Sequence, residues 1–153
     1  MAGIFKRKRD GSYRVALDAQ WRARLRFAAG QLRAVLARDA TVDPAVARLY
    51  PAARPDDPLE NLEYEKLAHD ELHSGRERDI ETVERTADSA ELTADELLAW
   101  MRVANDFRLV LGVRLDITQD DPPFEPEDME DPSVALYLFL TALVSEIVET
   151  MPA

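Results

Sequence analysis

Between Ala94 and Leu115 apolar residues return every three or four positions, at Leu97, Trp100, Met101, Ala104, Phe107, Leu111 and Leu115. That period belongs to a helix with one side against a core. Leu109, Val110 and Val113 widen the stripe until it nearly encircles the rod, so the pattern predicts an inside helix around which the others pack. Thr93 and Glu96, three apart, form a capping box at its start, each side chain satisfying a backbone N–H that the first turn leaves over. Gly112 costs roughly 1 kcal/mol of helix propensity, and its presence predicts a neighbouring backbone close by.

The same reading extends along the chain. Asp10-Gly11 between Phe5–Lys8 and Tyr13–Leu17 predicts a short β-hairpin, making residues 1–17 a basic hairpin arm. Asp18 then caps a helix to about Arg38 whose seam is Trp21, Leu25, Ala28, Leu32 and Val35. Asp43-Pro44 opens a short helix that Pro51 closes after Leu49-Tyr50, and Pro51 to Pro55 is expected to be irregular. Asp57-Pro58 launches Leu59, Leu62, Tyr64 and Leu67 on a helix that either ends near Ala68 or continues with a bend. A helical stretch from about Asp70 to Ala87 turns Leu72, Ile80, Val83 and Ala87 inward, with Gly75 as its weak point. Leu115 to Thr118 reads as a brief strand beside the hairpin. Gln119 to Asp131, with three prolines among seven acidic residues, reads as a mobile acidic loop. Asp131-Pro132 starts the last helix, with Leu136, Phe139, Leu140, Leu143 and Ile147 inward. Tyr137, Leu138 and Ala142 point elsewhere and offer a second apolar face to another helix or to a symmetry mate. The fold class is mainly α: one domain over residues 1–153, a helical bundle of about five to six helices with a short N-terminal β-hairpin.

Composition agrees and removes chemistry. A chain of 153 residues, 46% hydrophobic but only 7% aromatic, is built from the small aliphatics of helix packing, and five glycines are too few for a turn-rich β protein. The absence of cysteine removes disulfides, thiolate catalysis, iron–sulfur clusters and cysteine zinc sites. The basic cluster at the start is followed by no apolar stretch, so it is not a secretory signal. The uncharged run Ser133 to Ser145 is shorter than the roughly 20 residues that span a bilayer. The expectation is a cytoplasmic protein with no membrane contact. The net charge of −11 is unevenly spread, at +8 over residues 1–38 and −19 over the remainder. An acidic body repels phosphate backbones at long range and leaves only the arm, with Lys6, Arg7, Lys8 and Arg9, as a local contact for DNA.

Three side-chain sets could carry chemistry. Glu65, His69, His73 and Glu77 are metal-capable groups spaced by four, and His at i and i+4 is a chelating spacing. The segment reads H-D-E-L-H, however, so Asp70 stands where the zinc-protease pattern H-E-x-x-H needs Glu, and no third ligand is identifiable. Two solvent-facing histidines on a charged helix are the plainer reading. Arg108 falls on an apolar face with Asn105 at its edge, and a guanidinium there must find acceptors. It either binds a ligand with Asn105 as orienter or ties its helix to carbonyls or an acid across the bundle. Arg22, Arg26 and Arg33 flank the seam of their helix, either as an anion-binding stripe or paired with the acidic body. The acidic loop lacks the glycine a calcium loop needs for its sharp turn. No glycine-rich phosphate loop, Ser-His-Asp pairing or helix-turn-helix signature is present. No cofactor is expected.

The string Asn105 to Asp116, with Leu49-Tyr50-Pro51, the Pro55-Asp56-Asp57 turn and Glu63-Tyr64, resembles the actinobacterial AosR-like family. That family was long filed as a domain of unknown function and is typically encoded beside the adaptor of the Clp protease. The resemblance covers nearly the whole chain and implies transcriptional regulation in the oxidative stress response through contacts with partner proteins. The branch that gives the family its name uses redox-active cysteines; this chain has none, so the implied thiol sensing falls away and the regulatory role remains. The combined reading is a non-enzymatic regulatory or adaptor protein that binds a protein partner. Its expected surfaces are Arg22, Arg26 and Arg33 on one side and Tyr137 and Leu138 on the other, with self-association through Leu138. The alternatives are a metal-assisted enzyme or metal-binding protein using His69 and His73, and a DNA-binding regulator using the basic arm.

Overall fold

A computed structural model describes residues 3–38, 43–47, 49, 58–117 and 124–152, excepting the side chains of 58–65, 126 and 129. Two strands, β1 (Phe5–Arg7) and β2 (Tyr13–Val15), precede α1 (Ala19–Leu36) and the one-turn α2 (Pro44–Ala47). Then come α3 (Pro58–Thr86), β3 (Glu91–Leu92), α4 (Ala94–Arg114), a 3-10 helix (Pro126–Glu130) and α5 (Pro132–Thr150).

The hairpin forms where Asp10-Gly11 predicts it. Gly11 sits at φ 87°, a backbone region glycine enters without penalty. Asp10 Oδ1 accepts from the Ser12 N–H at 2.9 Å and from its hydroxyl at 2.6 Å, which fixes the turn. The strands pair antiparallel with Phe5 opposite Val15, Lys6 opposite Arg14 and Arg7 opposite Tyr13. A third strand completes the sheet, though not the expected one: Glu91–Leu92 pairs with β2, setting Leu92 against Tyr13 and Glu91 against Arg14. Leu115 to Ile117 instead ends α4. The Ile117 N–H reaches the Gly112 carbonyl at 2.8 Å and the Asp116 N–H reaches that of Val113 at 3.1 Å. Asp116 takes φ 55°. This is a Schellman closure with aspartate in the left-handed position glycine usually holds, and a strand cannot start there.

Local signals placed the helix starts. Asp18 accepts from the Trp21 N–H at 3.0 Å, Asp43 from that of Ala45 at 3.0 Å and Asp131 from that of Ser133 at 2.8 Å. Thr93 and Glu96 make both bonds of the capping box, at 3.1 and 2.8 Å. The Glu96 carboxyl is held below its ordinary value, first by the Thr93 backbone N–H and then by Arg85. α3 is a single helix of 29 residues that continues past Ala68, where the sequence left an end or a bend open, and through the weak point at Gly75.

α4 packs against α1, α2, α3 and α5. Leu97, Trp100, Val103, Ala104, Phe107, Val110 and Leu111 are buried in one core with Leu25, Leu32 and Val35 of α1, Ile80 and Val83 of α3, and Leu140, Leu143 and Ile147 of α5. The inner side of the sheet, Phe5, Tyr13, Val15 and Leu92, closes one end of that core. Phe5 meets the Trp100 ring edge-on at 6.3 Å, and Trp21 stacks on Phe139 at 4.7 Å. The Trp100 indole is fully buried, and its N–H donates to Thr86 Oγ1 at 2.7 Å while that hydroxyl donates to the Thr82 carbonyl at 2.6 Å.

Four expectations are corrected. Leu72 is not inward: it is 36% exposed at the mouth of a cleft, and Leu67, one turn earlier, is 66% exposed. What would meet a Cβ at Gly112 is the Tyr137 ring at 3.9 Å, an ordinary contact with a side chain and not a neighbouring backbone. In the acidic connector, residues 124–131 are ordered into a cap and a 3-10 helix, with Phe124 edge-on to Tyr137 at 6.0 Å and the Glu125 N–H bonded to Asp128 at 3.1 Å. Residues 119–123 of it, like Thr118 of the predicted strand and the irregular stretch Pro51 to Pro55, lie outside the described residues. Finally, α5 is long and apolar enough to cross a membrane by composition, with mean hydropathy 1.5. Its Leu136, Phe139, Leu140, Leu143 and Ile147 are buried against the bundle, while only 28% of that apolar stretch as a whole is buried.

Two stability predictions follow from this packing. Thr86→Val keeps the shape but strands the indole N–H, and is expected to cost about 1–3 kcal/mol in urea unfolding, with Thr86→Ser close to wild type. Gly112→Ala has room for its methyl group and is expected to raise stability by about 0.5–1 kcal/mol. A loss on Gly112→Ala would mean that Tyr137 cannot accommodate it.

Candidate functional site

α3 and α4 run antiparallel and are laced by ion pairs. Arg85 reaches Glu96 at 3.1 Å, Arg102 grips Asp79 with two bonds at 2.8 and 2.9 Å, and Arg76 meets Asp106 at 3.0 Å. Each rung lies further along α4 and further back along α3, so the register of the two helices fixes which charges meet. The last two rungs stand in a cleft of about 610 Å3 between α3, α4 and α5. Leu72, Met101 and Val144 give it apolar walls, while Glu71, Arg78 and Asn105 add polar groups.

The Arg76–Asp106 pair is the most enclosed of these, with each side chain 15% exposed. Arg76 Nη2 also donates to the Leu49 carbonyl at 2.6 Å, tying α3 to the segment after α2. Burial pushes the Asp106 carboxyl above its ordinary value, and the attraction of Arg76 only partly opposes this. Arg102 is held above its ordinary value by its bonds to Asp79. The acids and bases of the cleft thus largely neutralise one another. Arg78 and Glu71 are the exceptions: both are exposed, and neither has an ion-pair partner among the described residues.

The side chains singled out from sequence fall in different places. Asn105 lines the cleft, and its Oδ1 accepts from Arg108 Nη2 at 2.6 Å, one turn along the same helix. That leaves the NH2 side of the amide to offer. Among the described residues Arg108 bonds only within its own helix, and its buried Nε has no acceptor there. Arg22 is a structural clamp. It donates to the carbonyls of Leu17 and Val15 on one side and of Ala87 and Ser89 on the other, binding the start of α1 to the loop after α3. Arg26 pairs with Asp88, and Arg33 makes a two-pronged contact with Glu84. The stripe on α1 accordingly faces the chain's own acids and carbonyls, and does not stand as three open cations. Tyr137 is half-buried between Gly112 and Phe124, and Leu138 is half-buried.

His69 and His73 lie one turn apart with parallel rings 6.2 Å between centres. His73 Nε2 is 3.6 Å from Glu77 Oε1, and Glu77 is also 4.0 Å from Arg33. The side chain of Glu65 lies outside the described residues, and among those described no three metal-capable groups converge.

Sequence reading missed Arg76, Asp79, Arg102 and Asp106. Asp106 and Arg102 sit in the distinctive α4 string but look like ordinary solvated charges until the partner helix is in register.

These features define a class: a five-helix bundle closed at one end by a small antiparallel sheet, with a cleft of mutually paired charges on its flank. The chain belongs to the family described as a domain of unknown function, DUF2017, whose pattern matches residues 1–151. No curated protein and no solved structure matches the chain.

A carboxyl whose folded pKa is raised binds its proton more tightly in the folded state. The stability it contributes is full below the ordinary value of 3.8 and is lost as pH rises through the folded value. Arg76→Met removes the opposing cation and widens that window upward. The variant is expected to lose about 3–5 kcal/mol near neutral pH. Urea unfolding at acid pH should show a smaller deficit, and a pH-independent one would contradict the coupling.

Proposed function

We propose that this protein is a non-enzymatic regulatory or adaptor module, and that the cleft between α3, α4 and α5 is where it receives a partner protein. The observation that carries the reading is the pairing of the cleft's own charges. Arg76 with Asp106 and Arg102 with Asp79 leave a concave surface that is close to electrically neutral. Leu72, Met101 and Val144 then supply apolar contact, and Arg78 and the Asn105 amide supply direction. Such a combination of an apolar centre and a polar rim fits a protruding apolar side chain with an acidic neighbour better than it fits a reacting substrate. The resemblance to the AosR-like family supports the same reading and adds a finer one, regulation of transcription in the stress response. Without cysteine, that regulation would run through contact and not through a thiol.

The test is affinity capture from the native host, comparing the wild-type chain with Leu72→Glu and Arg78→Glu. Both positions are exposed, so the fold should survive both changes. A partner that uses the cleft is expected to be recovered about tenfold less with either variant, the effect of losing roughly 1.4 kcal/mol at a contact. Equal recovery of every partner by all three proteins would remove the cleft from the proposal.

A further inference from the structure

The basic residues of the first 38 positions divide into two groups. Arg22, Arg26, Arg33 and Arg38 are engaged by carbonyls or carboxylates of the same chain, Lys8 reaches Glu91 at 2.8 Å, and Arg24 lies over the Trp21 ring at 4.2 Å. Lys6, Arg7, Arg9 and Arg14 are exposed and have no carboxylate partner among the described residues. All four are on the hairpin. Lys6 and Arg14 stand directly opposite each other across the strands, a like-charge pairing that weakens a sheet. Arg14 is also close enough to oppose protonation of Lys8.

The counterpart lies on the same molecule. Glu125, Glu127, Asp128, Glu130 and Asp131, in and beside the 3-10 helix, are exposed, and no cation pairs with any of them among the described residues. The two regions are at opposite ends of the bundle. The sheet meets α4 at Trp100, whereas the 3-10 helix is joined to α5 at the end where Tyr137 lies beside Gly112. Those α4 positions are about 18 Å apart at 1.5 Å per residue. α5 touches both β1 and the 3-10 helix, and carries no charge from Ser133 to Ser145 along the way.

We propose that the chain pairs with a second copy of itself in antiparallel fashion, the basic face of each hairpin seated against the acidic 3-10 segment of the other. A molecule with opposite poles can join head to tail without end or close as a two-fold pair. The closed pair makes both contacts at once, and each raises the effective concentration of the other. The stretch of α5 from Ser133 to Ser145 lies between the poles and is uncharged, so it sets no like charges against each other when two copies align. A polyanion such as duplex DNA would also meet the basic face, but it offers no cation to the acidic 3-10 segment and makes one contact where a second copy makes two. The simplest competing account is that edge-strand cations only guard β1 against aggregation, and it requires a monomer. The proposal is independent of the cleft: Leu72→Glu should leave the pairing unchanged.

Sedimentation equilibrium of the full chain tests it. Dimer is expected at low salt, weakening about tenfold as the Debye length falls from about 30 Å to about 8 Å. Lys6→Glu, Arg7→Glu and Arg9→Glu together leave Arg14 facing three glutamates and make both poles acidic, and Glu125→Lys, Glu127→Lys and Glu130→Lys leave Asp128 and Asp131 facing three lysines and make both basic; each triple variant alone is expected to be monomeric. An equimolar mixture of the two is expected to recover the dimer, because the reversed hairpin of one now meets the reversed segment of the other. Lys6→Glu faces Arg14 and should strengthen the hairpin, so its loss of pairing cannot be traced to unfolding. A wild-type chain that stays monomeric at low salt, or a mixture that does not reassociate, overturns the proposal. A monomer that shifts a short DNA duplex overturns it too, and assigns the basic face to phosphate.

Discussion

The bond from the Trp100 indole to Thr86 is the constraint on which the helical arrangement turns. A ring of that size contributes a large apolar area, but its N–H must have an acceptor once water is gone. Thr86 supplies one at 2.7 Å only if the last turn of α3 stands at a set height and rotation beside α4. Thr86 in turn donates to the Thr82 carbonyl, so neither polar atom is stranded in the core. The Phe5 edge rests on the same indole, which couples the sheet to the helix pair. With the register fixed at this end, Arg85, Asp79 and Arg76 arrive opposite Glu96, Arg102 and Asp106 in succession. The cleft is a consequence of that register, since two of those pairs line it.

What was legible in the sequence was what a few neighbouring residues decide. Asp18, Asp43, Thr93 and Asp131 each commit a helix start because a short side chain and a nearby orphan N–H suffice. The seams of α1 and α5 were legible because period and burial coincide: Leu25, Ala28, Leu32 and Val35, and Leu140, Leu143 and Ile147, are all essentially inaccessible. What was not legible depends on a second segment. β3 is only Glu91–Leu92, too short for any alternation to show, and it exists because β2 offers an open edge. Leu72 has the spacing of an inward residue, yet it faces a cleft whose existence depends on how three helices splay.

Gly75 shows how tertiary context overrides a local penalty. Glycine in a helix interior costs roughly 1 kcal/mol, and the sequence alone marks a weak point there. The helix continues because Arg76 is anchored at both Asp106 and Leu49, and Asp79 is gripped by Arg102 four residues after the glycine. These contacts fall on the side of the helix that faces α4. The fold does not require a larger residue at position 75, and the missing side chain leaves room at the cleft wall.

The division of the arginines carries the argument about function furthest. A chain with ten basic residues among its first 38 could present a continuous cationic face, and the pattern of Arg22, Arg26 and Arg33 invited that view. The fold instead sets those three against Ala87, Asp88 and Glu84, all within or just after α3, Arg22 in a part-buried clamp and Arg26 at the surface. Arg22 alone satisfies four carbonyls that would otherwise need other donors where α1, the hairpin and the loop after α3 converge. Guanidinium groups used this way hold architecture together, because a planar fork can serve several acceptors at once. The cations left over are those of the hairpin, where strand register sets Lys6 against Arg14 and the one acid beside them in the sheet, Glu91, is bonded to Lys8. Surface charge that a fold neither neutralises nor separates is a standing cost, and an acidic surface brought against it removes that cost.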